Sequence, residues 1–174
     1  AGELKLAYEM YMKSGNSNDE VNAFGASAQE YSKAAEICVS LNDIQKAIDT
    51  YKLAGQRWGT HGHTNKYAEM LILAAKICLK QSNDNDFITK AREYYEEALD
   101  MICPNENEDL SGIKLAVTLP EVLRDVFTFY IRNQFYKEAI ALAMRSLPIF
   151  EFTKSDSTLT KMMVNITILQ LLNK

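Results

Sequence analysis

The sequence predicts an all-α fold, a right-handed superhelix of antiparallel helical hairpins with about eight helices. The first observation is an internal repeat, because the pentapeptide Ala34-Ala35-Glu36-Ile37-Cys38 returns forty residues later as Ala74-Ala75-Lys76-Ile77-Cys78. The second is composition, since seven Gly and three Pro are few for a protein built from tight β-turns. A period of about forty residues is typical of stacked helical hairpins, which present extended binding surfaces.

Helical spacing of the apolar residues is the third observation. Tyr31, Ala34, Ala35, Cys38 and Val39 follow one another in steps of three and one, which is the stripe of an amphipathic helix. No run alternates strictly with β-branched residues, so we expect no strands. Polar and Gly-containing breaks divide the chain into predicted helices at 2–13, 19–41, 43–58, 63–81, 86–102, 110–132, 135–152 and 157–173.

The predicted breaks are short, and short connections place neighbouring helices antiparallel. Residues 14–18 are expected to form a turn, followed by a helix cap at Asn18 or Asp19. Residues 59–63 are expected to end the third helix, with Gly59 after its last apolar residue. We expect further polar turns between helices at residues 82–86, 104–109 and 133–134.

Pro120 falls inside the predicted sixth helix. Proline has no amide hydrogen to donate to the carbonyl of the preceding helical turn, so we expect a kink at this position. The alternative is that Pro120 opens a new helix with Thr118 as its cap.

Small residues share one register in the predicted hairpins. A methyl side chain lets two helices approach to the lower end of the ~8–10 Å range of interaxial distances. We therefore expect close helix crossings at Ala35, Ala47, Ala54, Ala75, Ala91, Ala98 and Ala139. Tyr51 and Tyr95 occupy equivalent positions between them, where they would fill gaps.

Cys38 and Cys78 occupy the same repeat position, and Cys103 makes the count odd. This pattern does not indicate a secreted disulfide framework, and we expect the thiols to act as small buried apolar groups in a reducing compartment. Metal binding or redox chemistry is the alternative.

No catalytic motif is present in the sequence. His61-Gly62-His63 lacks the i, i+4 spacing of a helical zinc site, and we interpret it as a solvated turn. We interpret one group of carboxylates as a solvated helix face: Glu93, Glu96, Glu97 and Asp100. Phosphate loops, dinucleotide fingerprints and nucleophile elbows are missing. We therefore expect no enzyme activity, cofactor, metal or small-molecule substrate.

Aromatic residues at Trp58, Phe129, Tyr130 and Phe150 offer two interpretations. Each has the size of an anchor for a partner protein. We nevertheless expect them in the core or between repeats.

The charge distribution suggests where a partner would bind. A net charge of -4 argues against nucleic acid. Residues 84–109 contain nine acidic and two basic residues, whereas residues 110–174 contain five acidic and eight basic ones. The basic set would meet an acidic partner helix or an anionic membrane surface, and an evenly solvated surface is the alternative. The candidate partner-binding residues are Lys114, Arg124, Arg132, Lys137 and Arg145.

Three segments resemble the soluble NSF attachment proteins, or SNAPs, and their hairpins exceed the ~34 residues of tetratricopeptide repeats. These are residues 24–35 (FGASAQEYSKAA), 44–55 (IQKAIDTYKLAG) and 91–98 (AREYYEEA). The order of segments is most similar to the gamma type, in which a helix like residues 135–140 follows.

The resemblance implies a TPR-like cytoplasmic adaptor for vesicle fusion and protein transport. In that family the hairpins pack against a SNARE bundle and engage the NSF ATPase, so the adaptor couples ATP hydrolysis to SNARE disassembly. Peripheral contact with membranes would follow. The alternatives are a generic TPR-like scaffold in another complex and a helical regulatory domain of a larger enzyme. The chain reads as a single domain over 1–174 and does not begin with Met, so we expect a fragment of a longer protein.

Overall fold

The computed structural model describes residues 2–81, 84–103, 119–152 and 156–172, and within these ranges the chain is all-α. The predicted fold class is confirmed. The chain divides into two compact units, unit 1 over Ala1–Met101 and unit 2 over Ile102–Lys174. The helices are α1 (Gly2–Glu20), α2 (Phe24–Ser40), α3 (Ile44–Thr60), α4 (Thr64–Cys78), α5 (Asn85–Ile102), α6 (Leu119–Arg132), α7 (Tyr136–Phe152) and α8 (Asp156–Leu172), and a 3-10 turn at Leu79–Gln81 follows α4.

One turn geometry recurs between consecutive helices. Each such turn has three residues, and its middle residue has a positive φ: Asn22 (58°), Asn42 (57°), Gly62 (83°) and Gln134 (62°). The next amide then donates to the carbonyl five residues earlier: Ala23 to Asn18, Asp43 to Cys38, His63 to Trp58 and Phe135 to Tyr130, over 2.8–2.9 Å. This is the Schellman closure of a helix C-terminus. In unit 1 it recurs every twenty residues, so two helices and two turns make the forty-residue repeat.

The predicted turn at residues 14–18 is wrong, because α1 continues to Glu20. Gly15 is buried, and a Cβ built on it would lie 2.5 Å from the ring of Tyr31. The glycine therefore serves close packing of α2 on α1 and does not break the helix. The predicted caps at Asn18 and Asp19 are also wrong, since α2 begins after Ala23 and no side chain caps it.

Helix ends elsewhere differ from the predicted ones by a few residues. α3 continues through Gly59 to Thr60, and Gly62 adopts the positive φ that closes the turn. Over the described residues α6 begins at Leu119, so Pro120 lies in its first turn, where proline is tolerated. Residues 82–83 and 104–118, including Thr118, lie outside the described residues.

Pro148 lies inside α7, as it does in the predicted helix 135–152. Its ring nitrogen carries no proton to donate to the carbonyl of Met144, so one hydrogen bond of the helix interior is missing there. The helix nevertheless continues to Phe152.

Side-chain contacts join alternate helices of unit 1, so its hairpins stack in two layers. In one layer α1 contacts α3 and α3 contacts α5, while in the other α2 contacts α4. The joining contacts are Arg57 Nε to Asp19 Oδ2 at 2.6 Å, the Lys52 ammonium at 5.2 Å from the centroid of the Tyr94 ring, and the Ser32 hydroxyl to Met70 Sδ at 3.3 Å. The partners are about one repeat apart in the sequence.

The small residues expected at helix crossings lie in the core. All seven alanines expected at helix crossings are fully buried, and so are Tyr51 and Tyr95 to within a few per cent. Cys38, Cys78 and Cys103 are buried, and none of the three forms a disulfide bond. Burial raises the pKa of Cys78 to about 11, which keeps its thiol protonated and favours a packing role.

In unit 2, α6 packs on α7 and α7 packs on α8. Phe129, Tyr130 and Phe135 form an aromatic cluster at the α6–α7 turn, with ring centroids 5.6–6.3 Å apart. No helix within the described ranges is long and apolar enough to cross a membrane.

Candidate protein-binding cleft

An open cleft lies between two turns of unit 1 that are one repeat apart, the α1–α2 turn at residues 21–23 and the α3–α4 turn at residues 61–63. Its volume is about 540 Å³, within the range of small-ligand and side-chain pockets. It is lined by Asn22, Ala23, Phe24, Gly25, Ala26, Gln29, Trp58, His61, His63 and Lys66.

Three rings and one ammonium group form the wall that α3, the α3–α4 turn and α4 contribute. The centroid of the Trp58 ring lies 5.6 Å from that of His63 and 6.4 Å from that of His61, and the two imidazoles are 4.9 Å apart. The Lys66 ammonium lies 4.7 Å from the Trp58 centroid, which is a cation–π contact. Trp58 is buried, so its ring gives these polar groups a fixed platform.

Gly25 determines how closely this wall approaches α2. A Cβ built on Gly25 would lie 2.8 Å from Cδ2 of His61 and 2.9 Å from its Nε2. Contacts this short do not occur between real atoms, so only glycine lets the imidazole lie against the first turn of α2.

The cleft is rich in hydrogen-bond donors. None of its ten lining residues carries a carboxylate, and Lys66 contributes a positive charge. The helices that begin at the cleft, α2 after Ala23 and α4 after His63, have no side-chain cap. By contrast, Asp43 caps α3 by accepting from the Lys46 amide. First-turn amides carry the positive end of the helix dipole, so both helix starts favour an anion.

A polar network joins the C-terminal end of α1 to α2 and α3. Asp19 accepts hydrogen bonds from Arg57 Nε (2.6 Å) and from the Tyr31 hydroxyl (3.2 Å), which also donates to Asn16 Oδ1 (2.7 Å). Burial alone would raise the pKa of Asp19, but Ser27, Arg57 and Tyr31 outweigh it and lower that pKa below 3.8. The carboxylate is therefore ionised, and it holds three helices together.

The basic residues predicted to bind a partner belong to unit 2 and do not line the cleft. Arg124, Arg132 and Lys137 are exposed on α6 and α7. Arg145 is half-buried and donates to the carbonyl of Cys103. Lys114 lies outside the described residues.

The acidic face of α5 is largely solvated, as expected, since Glu93, Glu97 and Asp100 are exposed and Glu96 is half-buried. Glu96 pairs with Arg92 over 2.8 Å, and Glu97 accepts a hydrogen bond of 2.8 Å from the Tyr67 hydroxyl. Burial and then Glu97 raise the pKa of Tyr67 to about 12. Among the described residues no three metal-ligating side chains come together.

Sequence reasoning identified His61 and His63 as exposed turn residues, which is confirmed, but it missed the cleft. The available signal was the spacing of Trp58, His61 and Lys66 around one Schellman turn. The expectation that Trp58, Phe129, Tyr130 and Phe150 are core residues is confirmed, since all four are buried.

The fold defines a class, a helical-repeat domain of stacked hairpins with a donor-rich cleft at two of its turns. No protein-family model matches the chain, and no curated protein does. Among solved structures the chain is similar to BtubC (BKLC) from P. vanneervenii, with 19% sequence identity and a TM-score of 0.59. The match covers 97% of this chain and 65% of BtubC. At this identity the similarity concerns the fold alone.

Proposed function

We propose that this chain is a non-catalytic adaptor domain that binds other proteins. The stacking of hairpins in unit 1 carries the proposal, because side chains one repeat apart join α1 to α3 and α2 to α4. Stacked hairpins form a continuous surface that is broad enough for a protein partner. The cleft adds a recess for a partner side chain at two of the turns.

The SNAP resemblance gives the proposal a particular form. The first partner is an assembled SNARE bundle and the second an NSF-like ATPase, in vesicle fusion and protein transport. The adaptor then works in the cytoplasm, with peripheral contact at membranes. Exposure of Arg124, Arg132 and Lys137 supports this form, since exposed basic side chains can meet an acidic partner helix.

A capture experiment tests the SNARE-binding form. The chain, immobilised, is incubated with an assembled SNARE bundle at low and at physiological salt. We expect salt-sensitive capture that weakens when Arg124 and Arg132 are both replaced by Gln. Lys80→Gln, which changes an exposed lysine of unit 1, is the matched control and should leave capture unchanged. Absence of capture at low salt would sink the SNARE-binding form.

The alternative is a scaffold in another multiprotein complex. The cleft of unit 1 favours it, because none of the predicted basic residues lines the cleft and a SNARE-type surface does not require it. A scaffold binds one stable stoichiometric partner and does not stimulate an NSF-like ATPase. Measuring ATP hydrolysis by that ATPase with and without the chain separates the two. A regulatory domain of a larger enzyme would instead alter the activity of a catalytic domain encoded beside it.

A further inference from the structure

We propose that the cleft formed by Gly25, Trp58, His61, His63 and Lys66 binds a carboxylate side chain of an acidic peptide segment. This inference rests on the proposed protein-binding function and names the chemistry that the cleft recognises. The repeat pattern did not point to it, because the lining residues come from two turns and three helices.

The charge of the lining is the first reason. The chain has 23 acidic and 19 basic residues, yet none of the ten residues that line the cleft is acidic. Lys66 therefore faces the cleft without a carboxylate beside it there. A ligand carboxylate would supply the missing acceptor for its ammonium group.

The geometry of the donors is the second reason. Lys66 already rests over the Trp58 ring, at 4.7 Å from its centroid, so little side-chain freedom is lost when it binds an anion. The first-turn amides of α2 and α4 lack a side-chain acceptor, and Phe24, Gly25, Ala26 and Lys66 of these turns line the cleft. Asn22 and Gln29 add amide groups at the rim. These donors surround a volume of about 540 Å³, which is large enough for a side chain and its neighbours.

The number of cations favours a carboxylate over a phosphate. A phosphorylated side chain carries a charge of about -1.5 to -2 and is usually held by clustered arginines. The cleft lining holds Lys66 and no arginine. One ammonium with uncapped amides matches the single charge of a carboxylate.

The fluorescence of Trp58, the single tryptophan of the chain, provides the measurement. The full chain is titrated with an acetylated and amidated peptide of alternating glutamate and alanine, and with its glutamine counterpart. A third peptide carries phosphoserine in place of glutamate. Calorimetry repeats each titration, because a change at Lys66 also alters the emission of Trp58.

We expect the glutamate peptide to bind, and the glutamine peptide to bind about tenfold more weakly, the loss expected when one charge-assisted hydrogen bond is removed. Lys66→Gln should weaken binding of the glutamate peptide by a similar factor, whereas Lys80→Gln should leave its binding unchanged. Rising salt should weaken binding to the unmodified chain. Lys66 is exposed, so the fold should tolerate its replacement.

Three results would overturn the assignment: no binding of the glutamate peptide, equal binding of the glutamate and glutamine peptides, or much tighter binding of the phosphoserine peptide. The proposed function fails separately. If the glutamate peptide binds through Lys66 but no SNARE bundle is captured, the cleft assignment holds and the SNARE-binding form fails. If a bundle is captured while the peptide does not bind, the adaptor function holds and the cleft assignment fails.

Discussion

Arg57 on α3 donates a hydrogen bond of 2.6 Å from Nε to Oδ2 of Asp19 on α1, across one repeat of the chain. The side chains are 31% and 18% exposed, so water weakens this ion pair less than it weakens a pair on an open surface. Tyr31 on α2 donates to the same oxygen, and one carboxylate therefore holds three helices.

Replacing Asp19 with Asn should lower the free energy of unfolding by about 1–3 kcal/mol, because it removes charge-assisted bonds from partly buried donors. Urea denaturation of the unmodified chain and of the variant measures the difference. Glu30→Gln, in the exposed Lys33–Glu30 pair at 3.0 Å, is the control and should lower the free energy of unfolding much less. Equal losses in the two variants would contradict a structural role for Asp19.

The contribution of Asp19 should also depend on pH. Its pKa in the folded chain is lowered from 3.8, so folding favours the ionised form. The stability gap between the unmodified chain and Asp19→Asn should be fully present well above pH 3.8. It should shrink as the pH falls below 3.8 and through the lower folded-state value. A gap that grows under acid conditions would have the wrong sign.

Gly15→Ala should destabilise unit 1 although alanine is the better helix former. The added methyl would lie 2.5 Å from the ring of Tyr31, a buried side chain whose hydroxyl is already bonded to Asn16 and Asp19. Overpacking of this kind costs about 1–3 kcal/mol, against a gain of about 1 kcal/mol from helix propensity. We expect a lower midpoint in urea with an unchanged slope.

Gly2→Ala provides the matched comparison for this glycine, since nothing lies within 4 Å of a Cβ at Gly2. It should leave the midpoint unchanged or raise it slightly. If both variants raised the midpoint equally, close packing at Gly15 would be refuted.

Gly25→Ala should alter the cleft without lowering stability. The added methyl collides only with the exposed ring of His61, which can move away, and alanine adds helix propensity of up to about 1 kcal/mol. We expect an unchanged or higher urea midpoint, shifted imidazole proton resonances of His61 in NMR spectra, and weaker binding of the glutamate peptide. A lower midpoint would mean that His61 is held more firmly than its exposure indicates.

The cysteines should react slowly in the folded chain. All three thiols are buried and outside any disulfide bond, and burial raises the pKa of Cys78 to about 11. At pH 8 this leaves a thiolate fraction of roughly one in a thousand at Cys78, and the thiolate is the reactive form. A chromogenic disulfide reagent should label the thiols only after denaturant is added. Rapid labelling of Cys78 in the native chain would instead point to reactive chemistry at that position.

Local spacing in the sequence was sufficient for the helices and for the repeat. Amphipathic steps of three and four predict helices, and alanines in a shared register predict where helices cross, since both depend on residue size and periodicity alone. Ala35, Ala75 and Ala139 accordingly lie buried as expected. The burial of these alanines could be predicted without knowing which helices contact one another.

At Gly15 the local sequence pattern predicted the wrong structure. In isolation a glycine between polar residues reads as a turn, because local propensity is the only information available. The ring of Tyr31 reaches position 15 from another helix, and no pattern within residues 14–18 records this contact.

The sequence by itself therefore determined an all-α chain with a forty-residue hairpin period and buried cysteines. Only the tertiary structure decided that α1 continues through Gly15 and that His61 lies against Gly25 in an acid-free cleft with Lys66 nearby. The physical reason is the range of the interactions. Helix formation depends on neighbours a few residues away, whereas the cleft depends on side chains that meet across hairpins.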